Sequence, residues 1–176
     1  MNSKISNHNK KLLESKKEEP KCNCRNKAEC PLPGRCLTDK VIYRATVTTN
    51  SEIQTYVGLT AGEFKTRYRK HTSDFNNPNS KNSTTLSTYI WKQKENNNDY
   101  QIKFEIVGRA APFSAVSGRC NLCIALKFKI IFNPKKASLN SRHELFSACR
   151  HKWTHLLVKK SGKGDPEVAD LSAVSC

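Results

Sequence analysis

Long apolar runs are missing from this chain. No stretch approaches the roughly 20 apolar residues that a membrane-spanning helix needs. The N-terminal segment MNSKISNHNKKLLESKKEEP is polar throughout, so it lacks the apolar centre of a secretory signal. Acidic residues are scarce as well: 15 Asp and Glu stand against 31 Lys and Arg, a formal charge of +16 in 176 residues. No internal repeat is visible. The first two absences argue against a membrane protein and against export. They place the cysteines in a reducing, intracellular compartment, where they serve as metal ligands or buried thiols rather than disulfides. The shortage of acid means that the chain repels itself on compaction unless a polyanion is near, and nucleic acid is the leading partner. A merely soluble basic protein is the bland alternative. An anionic membrane surface fits less well, because no segment is a long cationic amphipathic helix.

What is present suffices for one compact domain of about 100–150 residues with loose ends. Residues 1–20 carry too little apolar surface to offset chain entropy and read as a disordered basic leader. Residues 21–39 form a Cys-rich segment, residues 40–157 the main domain, and residues 158–176, with Gly-Lys-Gly-Asp-Pro, a flexible tail. Within the domain the apolar period changes repeatedly. β-branched runs over Val41–Thr49 and Ile53–Leu59 flank Asn50-Ser51-Glu52 and predict a β-hairpin. Phe64, Tyr68 and Phe75 follow a helical spacing that Asn76-Asn77-Pro78 ends. Leu86, Tyr89, Ile90 and Trp91 predict a short helix, and alternating Ile102, Phe104 and Ile106 a half-buried strand. Two more helices are expected, Asn121–Phe132 and Asn140–Cys149. The fold class is α+β, a small sheet covered by helices.

Cys22, Cys24, Cys30 and Cys36 lie beside Pro31, Pro33 and Gly34, turn chemistry that can gather four thiolates around zinc and hold a segment with little core of its own. Free or disulfide-bonded thiols are the competing reading, since Cys22-x-Cys24 is tighter than the usual two-residue gap. Cys120-x2-Cys123 with Cys149 and His151 could close a second zinc site, although Cys123 also suits a small core position. Cys176 has no obvious partner.

The triplets Val41-Ile42-Tyr43 and Tyr56-Val57-Gly58, followed by Arg67 and His71 on one helix face, resemble the signature of the GIY-YIG nucleases. With CNCRNKAECPLPGRCL, YVGLTAGEFKTRYRKH, LSTYIWKQK, CNLC and LNSRHEL, residues 22–155 look like the endonuclease domain of Penelope-like retroelements. That resemblance implies a hairpin-plus-third-strand sheet and DNA nicking by phosphodiester hydrolysis with magnesium or manganese. It implies that the Tyr43 or Tyr56 hydroxyl assists the nucleophile, that Arg67 holds the phosphate through paired hydrogen bonds, and that His71 carries a proton or contacts phosphate. Gly58 completes the second triplet, and Asn140 matches an Asn that orients the metal site. The family's metal-binding Glu falls at Leu126, just before Lys127. Leucine offers no oxygen to a hard cation, so weak or absent cleavage is expected, with Glu105 and Glu144 the nearest substitutes in sequence.

Each of these residues also has a plainer reading. Tyr43 and Tyr56 suit a half-buried strand, Arg67 and His71 a basic helix face, Asn140 a helix cap, and Leu126 a core stripe with Leu122 and Ile130. From Arg119 to Lys160 there are ten Lys or Arg residues and one acid, Glu144. That run, including Lys135, Lys136, Arg142, Arg150 and Lys152, suits salt-sensitive contacts to backbone phosphates. Tyr68, Trp91 and Trp153 are candidates for base stacking, with core packing the competing role. The alternative to a nuclease is a non-catalytic, zinc-stabilised DNA- or RNA-binding module. Access to DNA would place either in the nucleus of a eukaryotic host.

Overall fold

A computed structural model describes residues 3, 4, 7, 22–113, 119–141 and 143–151. Most of the leader, all of the tail, and Arg142, Lys152, Trp153 and Cys176 lie outside the described residues. The fold is α+β, built on a three-stranded antiparallel sheet in the order β2-β1-β3. β-branched residues fill β1 (Val41–Thr49) and β2 (Ile53–Thr60), which favours extended backbone. The turn between them is closed by Thr49 N donating to Glu52 O at 2.9 Å and by Glu52 N donating to Thr49 Oγ1 at 3.1 Å. β3 (Tyr100–Arg109) pairs with the other side of β1, with an irregularity in register between Ile42 and Tyr43. The central strand is therefore the most buried.

Period two sends alternate β1 side chains to opposite faces, and each face has its own cover. Tyr43, Ala45, Val47, Tyr56 and Phe104 pack with Phe64 and Phe75 of α1 (Phe64–Asn76) and with Leu86 and Ile90 of α2 (Thr85–Glu95). Ile42 and Val57 pack with Leu122 and Ile130 of α3 (Asn121–Phe132) on the other face. A fully buried large apolar side chain contributes about 1.5–3 kcal/mol, so these clusters supply most of the driving force. Asn77, extended before Pro78, stops α1, because proline disfavours helical backbone in the residue preceding it. Thr84 starts α2 by accepting the Ser87 N–H at 3.0 Å.

The Cys-rich segment is joined to this core. Cys30, Leu32 and Cys36 belong to the α1–α2 cluster. The carbonyls of Thr38 and Cys36 accept the first N–H groups of α1, from Phe64 at 2.9 Å and Lys65 at 2.7 Å. These donors have no partner within the helix, so the segment caps the element that carries Arg67 and His71.

The expected last helix is shorter in the structure. α4 covers only His143–Phe146. Asn140 is drawn to β2, and Cys149 and His151 turn toward Cys120 and Cys123, so the backbone at both ends serves long-range contacts instead of helix. Among the described residues no helix is long and apolar enough to cross a membrane.

Candidate functional site

Tyr43 is the centre of the site. Its ring is fully buried, 5.2 Å from Phe64 in an edge-on contact, and its hydroxyl points toward α1. Arg67 Nε donates to Tyr43 Oη at 2.9 Å, and His71 Nε2 lies 2.7 Å from the same oxygen. Four residues apart on a helix, Arg67 and His71 share the face that meets the hydroxyl. Gly58 sits opposite Tyr43 across the hairpin. A β-carbon there would lie 2.4 Å from Tyr43 Oη and 2.5 Å from Cζ, so the phenol occupies the space that any other side chain would need.

The electrostatics follow from burial. Desolvation raises the pKa of both Tyr43 and Tyr56, and the Arg67 cation beside them offsets part of that rise. Desolvation and the same cation hold His71 down at about 3, so its ring is neutral. His71 is fully buried, and its Nδ1 has no hydrogen-bond partner. Its Nε2 is turned to the Tyr43 hydroxyl rather than to solvent.

Asn140 holds the outer edge of β2. Its Oδ1 accepts from Val57 N and its Nδ2 donates to Val57 O, both at 2.8 Å. Leu139 N donates to Thr55 O and Thr55 N donates to Ser138 Oγ, each at 2.9 Å, so this segment covers the open edge of β2. The capping role open to Asn140 in the sequence is replaced by this backbone clamp. Asn140 Nδ2 also donates to Glu144 Oε2, and Thr85 Oγ1 donates to Glu144 Oε1 at 3.2 Å. Burial raises the Glu144 carboxyl, and these two donors oppose the rise.

A cleft of about 580 Å³ opens here, with Tyr56, Gly58, Arg67, Leu126 and Glu144 among its walls. Of the two carboxylates nearest in sequence, only Glu144 lines it. Glu105 is paired with Arg44 across β1 and β3, its Oε1 accepting from Arg44 Nε at 2.5 Å. Leu126 reaches the cleft while packing with the Ile42–Leu122 cluster, so its core and cleft roles coexist. Tyr68 and Trp91 are committed to packing: Tyr68 meets Phe104 edge-on at 5.4 Å, and Trp91 Nε1 donates to Asp74 O at 3.0 Å. Ser138 and Thr85, which hold the edge strand and Glu144, carried no signal in the sequence beyond being short polar residues.

Two clusters are positioned to hold a metal ion. The sulfurs of Cys22, Cys24, Cys30 and Cys36 all lie within 4.8 Å of one another. Individual Sγ pairs are 3.3 Å (Cys22–Cys36), 3.4 Å (Cys22–Cys30) and 3.6 Å (Cys24–Cys36). A zinc tetrahedron with ~2.3 Å bonds has edges of about 3.8 Å, so slight expansion would fit the ion. In the second cluster His151 Nδ1 lies 3.3 Å from Cys120 Sγ and 3.4 Å from Cys123 and Cys149 Sγ. Burial lowers the His151 pKa and keeps its ring neutral, as a ligand must be. All seven described cysteines are free of disulfides. Cys123 and His151 also line the cleft, so the second cluster braces its wall.

No protein-family model, curated protein or solved structure matches the chain.

Proposed function

We propose that this chain is a DNA-binding domain of the GIY-YIG endonuclease type, from a Penelope-like retroelement, whose cleavage chemistry is disabled at one wall. The observation that carries the reading is that Tyr56 and Arg67, from two elements, line a single cleft, and that Arg67 also donates to the hydroxyl of the buried Tyr43 on a third. Phosphodiester hydrolysis needs a phosphate-binding cation, a hydroxyl able to relay a proton from water, and charge stabilisation at the reacting phosphate. Arg67 supplies the first. Tyr56, with Tyr43 behind it hydrogen-bonded to His71, supplies the second. Magnesium or manganese, when bound in an intact family member, supplies the third. The donor set here does not suit a hard cation: Leu126 contributes no oxygen, and Glu144 is the one carboxylate among the described cleft walls, which also carry the cations Arg67 and Arg150. The reading therefore ends in binding without efficient hydrolysis. The two clusters take structural zinc, and DNA as target puts the protein in the nucleus of a eukaryotic host.

The test is nicking of supercoiled plasmid with Mg²⁺ or Mn²⁺ by the unmodified protein, by Leu126→Glu, and by Leu126→Glu combined with Tyr56→Phe. Nicking only by Leu126→Glu, lost in the double variant, is the expected pattern. Nicking by the unmodified protein would mean that Glu144 or another carboxylate holds the metal. Failure to bind any DNA at low salt would overturn the reading entirely. A non-catalytic DNA- or RNA-binding module is the second reading, favoured by the apolar Leu126 wall. It predicts binding by the unmodified protein and no nicking even by Leu126→Glu.

A further inference from the structure

The face of the sheet away from Tyr43 carries a second cavity, of about 280 Å³, lined by Arg44, Val57, Val107, Lys129, Asn133 and Lys136. The Lys129 stem lies over Gly108 of β3, where a β-carbon would be 3.8 Å from Lys129 Cε. Three cations and the one carboxylate paired to Arg44, Glu105, leave two positive charges around the pocket. Neither Lys129 nor Lys136 has an acidic partner among the described residues. The negative end of the α3 dipole, about half a charge, lies beside them and does not cancel that excess.

Next to this pocket the outer side of α3 carries exposed apolar side chains. Phe128 is 52% exposed, Ile131 54% and Phe132 71%. The rings of Phe128 and Phe132 stack on each other, 5.6 Å apart and 19° from parallel. At about 100° per residue, Phe132 is only about 60° around the helix axis from Lys129, so ridge and pocket adjoin. Lys127, Lys129, Lys135 and Lys136 flank the two phenylalanines along the chain, all of one charge sign. A second copy of this chain would bring the same lysines against them, which disfavours self-association through this face. A polyanion with flat apolar groups complements both features.

We propose that this surface docks single-stranded polynucleotide, with one backbone phosphate held among Arg44, Lys129 and Lys136 and neighbouring bases stacked on Phe128 and Phe132. Stacking on exposed aromatics requires unpaired bases, which a duplex does not offer. Val57 is a wall of both cavities, so a strand anchored here runs beside the Tyr56–Arg67 cleft. The inference deepens the nucleic-acid reading above and rests on it.

The test is fluorescence anisotropy with a labelled oligothymidylate roughly 16 nucleotides long and a duplex of equal length. Phe128→Ala combined with Phe132→Ala should weaken single-strand binding at least about five-fold and leave duplex affinity within about two-fold. Lys129→Gln with Lys136→Gln should weaken single-strand binding and lower the slope of log K against log salt by about 0.7, the contribution of one phosphate. All four positions are exposed, so the fold should persist, and an unchanged thermal transition checks this. Wild-type single-strand affinity in both double variants would overturn the proposal while leaving duplex binding and the cleft reading intact. So would a dimer that dissociates in the Phe variant, or adsorption to phosphatidylserine vesicles that the Phe variant loses with no change in oligonucleotide binding. Loss of all nucleic-acid binding by the unmodified protein would sink both readings together.

Discussion

Acidification should destabilise this domain through a single imidazole. His71 is fully buried between Tyr43, Phe75 and Phe104, and burial with the nearby Arg67 holds it at about 3, against about 6.5 in the unfolded chain. Above the unfolded value both states carry a neutral ring, and His71 makes stability independent of pH. Below it the unfolded chain takes up a proton that the folded chain refuses, so folding loses about 1.4 kcal/mol per pH unit until the folded value is reached. Between pH 7 and pH 5 the loss is about 2 kcal/mol, a sizeable part of the 5–15 kcal/mol typical of a domain. Other groups also titrate in this window, so the readout is a difference. Urea unfolding of the wild type and of His71→Phe is followed at pH 7, 6 and 5. The variant loses the Tyr43 hydrogen bond and is the weaker protein at pH 7, but the gap between the two should narrow by about 2 kcal/mol at pH 5. A gap that stays constant, or an imidazole NMR resonance that titrates near 6.5 in the folded protein, would refute the reasoning.

Gly58→Ala places a methyl group against the Tyr43 phenol, which has no free space to move into. A loss of about 1–3 kcal/mol is expected, read as a lower urea midpoint with unchanged m-value. Asn140→Ala removes both side-chain partners of the Val57 backbone, and a loss of about 2 kcal/mol should appear with faster exchange of the Val57 amide. Purified protein should contain two zinc ions per chain by elemental analysis. Stripping them with a chelator should expose the Lys65 amide to exchange, because the Cys-rich segment that caps α1 comes loose; an amide protected as before would argue that this cap stands without metal.

Local pattern was enough for the elements whose cause is local. The β-branched runs around Asn50-Ser51-Glu52 announce the hairpin, the spacing of Phe64 and Phe75 with the Asn77-Pro78 stop announces α1, and the apolar stretch from Asn121 marks α3 to its observed ends. The membership of both Cys/His clusters was also legible, because thiols and an imidazole at these spacings beside turn residues match the donor set of a metal site. Tertiary structure decided the rest. Asn140 meets Val57 across 83 residues of chain, so no window of sequence could show that it clamps a strand edge instead of capping a helix. The choice between Glu105 and Glu144 was tertiary: strand pairing gave Glu105 to Arg44, and α4, with Glu144 held by Asn140 and Thr85, gave Glu144 to the cleft. The basic pocket under α3 draws on β1, β2, β3 and the chain beyond α3, and the exposure of the stacked Phe128 and Phe132 rings is set by how α3 lies on the sheet. Periodicity tells which side chains share a face. Only the path of the whole chain tells what, if anything, covers it.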